Sequence, residues 1–273
     1  MPTGDHPSPE GERARAQRDS VGRFLDGPFA DLLVSRALLA AGHDALDLGC
    51  GVGVLARRVL AVVGERGSVT AIEEDPCRLE LARATGSDIA WRRGRPVELP
   101  FDDASFDAVV SCHALEPSEE SVACLAEARR VLRLGGRISL AVWAERDRSP
   151  LFEAVGDVLE ARLTDPAALR RLASYLGRFD GSRPERWAEW LERAGFVMVS
   201  VEEQRLDLEL PRTDDFVALY LHAVGLGDAL RELDPATRRG AVTEIAARLE
   251  PAPRDDGNLP FRTILAFGRA WRA

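Results

Sequence analysis

Residues 45 to 53 read ALDLGCGVG, a short apolar run that carries one acid, Asp47, and passes into glycines at every second position, Gly49, Gly51 and Gly53. Glycine weakens the interior of a strand or helix, so this alternation marks backbone that turns sharply or lies close to another group. ALDL (45 to 48) reads as a strand and the stretch from Gly53 to Val63 as a helix. SVTAIE (68 to 73) is a second strand, and Asp75 followed by Pro76 is a helix start, the acid capping and the proline fitting the first turn. A third strand fits around Asp88 to Arg92, and FDAVVSC (106 to 112) makes a fourth whose Ala108, Val109 and Val110 suit burial on both faces. Ser118 can cap a helix with Glu119 and Glu120 in its first turn, arginines at its end and Gly135-Gly136 as its stop. RISLAVW (137 to 143) is then a fifth strand, and this alternation is the signature of parallel βαβ units.

Beyond Trp143 helical patterns span roughly 150 to 177. In SRPERWAEWLERAG, Ser182 and Glu185 fit a capping box and Gly195 a helix end, followed by an extended stretch from Phe196. Residues 214 to 249 read as helical again, and RTILAFGRA (262 to 270) as a last strand. The expected fold is α/β, a Rossmann-like open sheet of seven strands, mostly parallel, with helical lid insertions. Its organisation is a disordered tail (1–18), a core (19–145), a first lid insertion (146–181), the last core helix and strand (182–211), a second insertion (212–256) and the final strand (257–273).

The 36 basic residues are all arginine and stand against 45 acidic ones, a net charge of -9 that argues against wholesale nucleic-acid binding. No apolar stretch approaches the roughly 18 residues of a membrane span, and MPTGDHPSPEGERARAQRDS has no signal-peptide core, so a cytoplasmic location is expected. Cys50, Cys77, Cys112 and Cys124 form no CxxC pair, and no cluster has metal-ligand spacing, so they read as small buried thiols and no metal is expected.

Ligands of open parallel sheets bind beyond the carboxyl ends of the strands, where strand order reverses. The glycine turn lies at such an end and would expose backbone N–H groups to a ligand lying against the main chain, although a plain tight turn would use glycine too. The second strand ends in Glu73, twenty residues past Gly53, the distance at which dinucleotide folds place the acid that holds ribose hydroxyls. Together these imply an adenosine-containing ligand. The glycines follow GxGxG rather than GxGxxG, and Asp47 beside them would repel a pyrophosphate but attract an ammonium group. Both features favour S-adenosylmethionine over NAD.

LDLGCGVG (46 to 53), VTAIEEDP (69 to 76), ELPFDDASFDAVVSC (98 to 112) and LAEARRVLRLGGRISLAVW (125 to 143) occur in the order and spacing of a known family. The chain resembles the class I S-adenosylmethionine-dependent methyltransferases, in particular the small-molecule branch that includes the ubiquinone and menaquinone C-methyltransferases. The resemblance implies that Gly49 and Gly51, with Cys50 and Gly53 in the same turn, pack against the methionine and ribose portions of the cofactor. It implies that Glu73 binds the ribose with Glu74 beside the adenine, and that Ser111, Cys112 and His113 lie near the sulfonium and the substrate. S-adenosylhomocysteine would be the product. Where relatives carry G-D-A before the LPF motif, this chain reads Gly94-Arg95-Pro96, and arginine offers the adenine amine no acceptor. Glu116 stands where relatives often carry histidine.

His113 is the preferred general base, because its ordinary pKa lies near neutrality and the strand end places it between cofactor and substrate; a pocket-wall histidine is the plainer alternative. Glu116 is a second candidate or a solvated helix-entry acid. Trp143, Phe216, Tyr220 and His222 could reach the substrate from the lid, and core packing explains them as well. The function expected is methyl transfer to a small, largely apolar metabolite of quinone, polyketide or other secondary metabolism. A natural-product cyclase that keeps the fold without methylating is the alternative, motivated by Arg95, and a noncatalytic binding protein is a third. No nucleic-acid or membrane partner is expected, and a homodimer is left open.

Overall fold

The computed structural model describes residues 8–86, 88–211, 213–249 and 258–271. The chain enters through helix α1 (Pro9–Asp19), a π-helical turn (Val21–Asp26) and helix α2 (Gly27–Arg36). The expected disorder of residues 1–18 therefore does not hold from Pro9 onward, and residues 1–7 lie outside the described residues. Ser8 caps α1 by accepting from the Gly11 N–H at 3.1 Å, Pro9 fits its first turn, and Ala14 and Ala16 are buried. Charge dominates this segment's composition, but its small side chains let it pack closely.

Five strands and three helices follow in the expected order: β1 (Asp44–Leu48), α3 (Val54–Val63), β2 (Ser68–Glu73), α4 (Pro76–Arg83), β3 (Ile89–Arg93), β4 (Phe106–Cys112), α5 (Glu119–Val131) and β5 (Leu132–Trp143). Asp75 caps α4 as its sequence suggests, accepting from the N–H groups of Cys77 at 2.8 Å and Arg78 at 3.2 Å. Ser118 precedes α5 but makes no side-chain cap. That helix ends at Val131, before Gly135-Gly136, because Leu132 is already extended and pairs with Phe106 of β4, so both glycines lie within β5.

The first insertion contributes α6 (Pro150–Glu160) and α7 (Pro166–Leu176). Then come α8 (Pro184–Arg193) and β6 (Phe196–Leu208), the second insertion with α9 (Asp214–Ala223), α10 (Gly227–Arg231) and α11 (Pro235–Arg248), and β7 (Leu259–Ala270). The end of the second insertion, 250–256, lies outside the described residues. The seven strands form one sheet in the order β3-β2-β1-β4-β5-β7-β6. β7 runs opposite to the other six strands, pairing antiparallel with both β5 and β6.

Strand order reverses between β1 and β4, so their carboxyl ends open the crevice where such sheets bind ligands. Apolar clusters cover the two faces of the sheet, one under α5 and α8, the other under α2 and α3. A third gathers side chains from α2, α6, α7, α9, α10 and α11 with Phe261 of β7. The two insertions are thus one helical layer with one core. No described helix is long and apolar enough to cross a membrane.

The capping box expected at Ser182 and Glu185 is absent, since Arg183 occupies the cap position of α8 without a side-chain bond. Ser182 instead is buried, donates to the Trp143 carbonyl and accepts from the Trp187 indole N–H at 3.0 Å. It ties the end of β5 to α8 and satisfies a buried tryptophan. Ser182→Ala leaves that N–H and carbonyl unpaired, a cost of roughly 1–3 kcal/mol, and is expected to lower the thermal midpoint by several degrees in calorimetry with the fold retained. An unchanged midpoint would contradict this role.

Candidate functional site

The turn from Gly49 to Gly53 builds the site. Gly49, Gly51 and Gly53 have φ of 75°, 54° and 82°, a left-handed region that costs an L-residue roughly 1–2 kcal/mol. The N–H groups of Gly49 and Cys50 both donate to the Ile72 carbonyl at the end of β2, at 3.0 and 2.9 Å. Gly51 N–H donates to Glu73 Oε2 at 2.8 Å, and Gly53 N–H to the Cys50 carbonyl at 2.8 Å. The expectation that these glycines present free N–H groups is therefore corrected: protein acceptors engage all three. They are glycines for their backbone angles and for close approach. A Cβ on Gly49 would collide with Ala114 Cβ and one on Gly53 with the Trp91 ring, whereas one on Gly51 would meet only Gln17 Nε2 at 3.6 Å.

Over this turn lies a cavity of ≈ 260 Å³. Asp47, Gly49, Cys50, Gly51, Glu73, Glu74, Pro96, Cys112, His113 and Glu116 line it, so one site collects most of the residues singled out in the sequence. Asp47 is 1% exposed, and neither carboxylate oxygen makes a well-formed hydrogen bond, the Ala56 backbone N–H offering only a weak one. Burial pushes its carboxyl up to about 8; the Ala56 backbone N–H and, more weakly, Arg57 work against this, and the nearby Glu73 charge adds to it. Glu73, also buried, accepts from Gly51 N–H and, at 2.9 Å, from Asp75 N–H, with Arg78 at 3.4 Å. Each of its oxygens retains a lone pair. Burial also raises the Cys50 and Cys112 thiols, so both stay protonated at neutral pH.

His113 leaves β4 with φ 55°, its N–H donating to the Ala141 carbonyl at 2.7 Å. The ring stacks on Trp143, centroids 3.4 Å apart, and meets Phe29 edge-on at 5.0 Å. Its Nδ1 is 3.5 Å from Asp26 Oδ1 and its Nε2 is 3.4 Å from Thr263 Oγ1. Burial lowers its pKa below the ordinary value, and Asp26 works the other way. Glu116 sits at the rim, 3.3 Å from Arg178 of the first insertion.

Several expected site residues lie elsewhere. Ser111 is buried behind the cavity, donating to the Leu48 carbonyl at 2.7 Å, and so fastens β4 to β1. Arg95 points outward to Glu74 at 3.6 Å and Glu120 at 3.3 Å, both exposed. Gly53 packs under Trp91 rather than lining the cavity. Phe216 and Tyr220 belong to the core of the helical layer, where the Tyr220 hydroxyl lies 2.9 Å from that of Tyr175. Trp143 backs His113 without reaching the cavity, and His222 lines a separate small depression beside Arg13 and Asp228.

The cavity also takes in Gln17, Asp26, Arg78 and Arg178, which sequence reasoning missed. Asp26 carries a signal, since Gly27-Pro28 after it breaks a helical stretch. Gln17 and Arg178 carry none; tertiary packing alone brings them in. Among the described residues no group of His, Cys, Asp and Glu could hold a metal ion.

A family model described as a methyltransferase domain matches residues 46–140. The demethylmenaquinone methyltransferase of Tropheryma whipplei is 32% identical over 172 residues, 59% of this chain and 70% of that protein. This chain belongs to the S-adenosylmethionine-dependent methyltransferase family. The 2-phytyl-1,4-naphtoquinone methyltransferase of Synechococcus elongatus is 32% identical over 46% of this chain, and the match spans only 57% of that protein. Nocamycin O-methyltransferase of Saccharothrix syringae is 28% identical over 85% of this chain and 86% of its own length. Among solved structures, the YcgJ protein of Bacillus subtilis shares the fold with a TM-score of 0.56 at 20% identity, covering 89% of this chain and 98% of its own. The [4+2]-cyclase SpnF does so with a TM-score of 0.52 at 21% identity, covering 90% of this chain and 81% of its own.

The residues present fit the family's cofactor. Asp47 is a buried acid with no well-formed hydrogen bond, Glu73 keeps acceptor capacity, and the missing Cβ of Gly51 leaves room beside them. Gly51→Val is expected to fold, to lose stability, and to abolish binding of S-adenosylhomocysteine in calorimetric titration; binding by a folded variant would contradict the assignment. Asp47 also sets a pH dependence. Its folded pKa of about 8 exceeds the ordinary ~4, so between these values the folded state holds a proton that the unfolded state lacks. Stability contributed here is highest below pH ~4 and is lost as pH rises toward 8. Asp47→Asn removes that loss, and above pH 8 its thermal midpoint is expected to exceed that of the parent by a few degrees; a lower midpoint would refute the buried acid.

Proposed function

We propose that the chain transfers a methyl group from S-adenosylmethionine to a small, largely apolar metabolite, of the quinone, polyketide or other secondary-metabolic kind. The observation that carries this reading is the carboxyl of Asp47, buried at the floor of the cavity with no well-formed hydrogen bond. A buried acid held by no well-formed hydrogen bond is costly, and the ammonium of the methionine moiety is the partner that would offset it. Glu73 would accept from the ribose hydroxyls with its remaining lone pairs, Glu74 and Pro96 would flank the adenine, and Cys50 and Gly51 would lie against the chain between. When bound, the cofactor supplies an electrophilic methyl group on sulfur and leaves as S-adenosylhomocysteine.

The protein's own residues bind, orient and exclude water. Cys112, Ala114 and His113 line the cavity beyond the end of β4, and Ala30 and Leu55 add apolar wall. Glu116 and Arg178 bridge the rim between the core and the first insertion, a contact suited to shutting out water when both ligands are held. Positioning supplies most of the catalysis in such a site, so few dedicated groups are needed. His113, which lines the cavity, would take a proton from the acceptor. Arg95, which motivated the cyclase alternative, is held outside the cavity by Glu74 and Glu120, and likeness of fold to a cyclase carries no activity with it.

Calorimetric titration with S-adenosylhomocysteine tests the cofactor half. Glu73→Ala is expected to weaken binding at least about tenfold, ~1.4 kcal/mol. Below about pH 8 binding is expected to release up to one proton as Asp47 ionises against the ammonium, read as a binding enthalpy that depends on the buffer. Mass analysis of acceptors incubated with S-adenosylmethionine tests the other half. Added methyl mass supports the proposal, whereas an isomer of unchanged mass would favour the cyclase.

A further inference from the structure

We propose that the amino end of the sheet, opposite the cavity, carries a second binding site, for an amphiphilic oxyanion whose simplest form is a fatty carboxylate. The site is a groove of ≈ 310 Å³ where the end of α2 meets one face of β5, β7 and β6. It stands independently of the methyl-transfer reading.

Charge is the first observation. Arg137 of β5 and Arg269 of β7 are direct partners across an antiparallel pair, where like charges opposite one another destabilise a sheet. Both are half-buried and line the groove, and neither has an ion-pair or hydrogen-bond partner for its guanidinium among the described residues. Burial, and after it the Arg269 charge, lowers the pKa of Arg137 below the ordinary arginine value. Arg36, at the rim, differs in bringing its own acid, Glu202 at 3.6 Å. In a chain with 45 acidic residues, two facing arginines left without a counter-charge mark a place where the anion comes from outside. Ser139 and Ser200 line the same groove, and their hydroxyls have no partner among the described residues.

The second observation is apolar. Leu38 and Met198 also line the groove, 68% and 74% exposed, and each has φ 51°, a left-handed conformation that favours glycine over a long side chain. Two apolar side chains thus stand in water on backbone that disfavours them. Between them and the arginines lies the half-buried ring of Phe267, paired in register with Ser139. An oxyanion held by Arg137 and Arg269 offsets their repulsion through charge-assisted hydrogen bonds, and its tail covers Leu38, Met198 and Phe267.

The occupant is a small molecule. The volume is that of a ligand pocket, and a second copy docking face to face would bring the same arginines together. A net charge of -9 opposes approach to an anionic bilayer, which three arginines are too few to reverse.

NMR of the full chain labelled with ¹³C at its methionine methyls tests the site, because Met1 and Met198 are the only methionines. Met198→Gly identifies the Met198 signal and suits the left-handed backbone there. Decanoate, kept below its micelle-forming concentration, is expected to shift that signal saturably; acetate, which lacks the tail, and decyl maltoside, which lacks the charge, are not. Arg137→Gln and Arg269→Glu are each expected to weaken decanoate binding at least about tenfold, the loss of one charge-assisted contact. Arg269→Glu is also expected to raise the thermal midpoint, since an opposite pair replaces a like one. A Met198 signal unmoved by decanoate, an equal response to decyl maltoside, or unweakened binding in a folded Arg137→Gln variant overturns the proposal. If both arginine variants fail to fold, the response of the parent chain to decanoate against the two controls decides. Loss of the Met198 signal on phosphatidylglycerol vesicles, with no response to monomeric decanoate, overturns it in favour of a membrane surface.

Discussion

The end of β2 holds the turn after β1, and the rest of the site depends on that clasp. The Ile72 carbonyl takes two turn N–H groups and the Glu73 carboxylate a third, which fixes the left-handed path from Gly49 to Gly53. Because parallel pairing locks Leu48 beside Ile72, the turn has no freedom to slide along the strand. Gly49 comes within contact of Ala114 after β4, and Gly53 within contact of Trp91 on β3. One short turn thereby sets the spacing of four neighbouring strand ends, and the cavity is what remains between them.

Two buried acids in this cavity have opposite circumstances. Glu73 is satisfied by backbone donors and a nearby arginine, while Asp47 makes no well-formed hydrogen bond and is only weakly offset by the Ala56 N–H and Arg57. An acid kept without a strong partner in a well-packed sheet is destabilising, which is what a binding site requires of a group whose partner comes from outside. The free protein is least comfortable at the point where its ligand would be held.

Much of this was legible in the sequence. The strand pattern, the glycine turn, Asp47, Glu73 and His113 follow from period, spacing and residue type, because parallel strands and tight turns leave strong local signals. Lid contributions were not legible in the same way. Phe216, Tyr220 and His222 lie on one helix, α9, whose pattern says that one face is buried but not against what. Ser111 and Ser182 are small hydroxyls whose work is to tie carbonyls across distant segments, and Arg178 enters the cavity only through tertiary packing. The charged composition of residues 9 to 18 hid a helix held by small side chains and a serine cap.

β7 lies between β5 and β6 yet follows both in the chain. During synthesis β6 therefore emerges with no sheet neighbour, and β5 keeps an open edge, until residues beyond 258 leave the ribosome. A nascent chain carries two unpaired edges and an uncapped helical layer during that interval, a period in which chaperone binding would matter most. Thr263, whose hydroxyl lies 3.4 Å from His113 Nε2, arrives on the same strand. Folding of the sheet and of the wall around His113 thus finish in a single late event, so a chain truncated before β7 would lack both a continuous sheet and the strand that packs against His113.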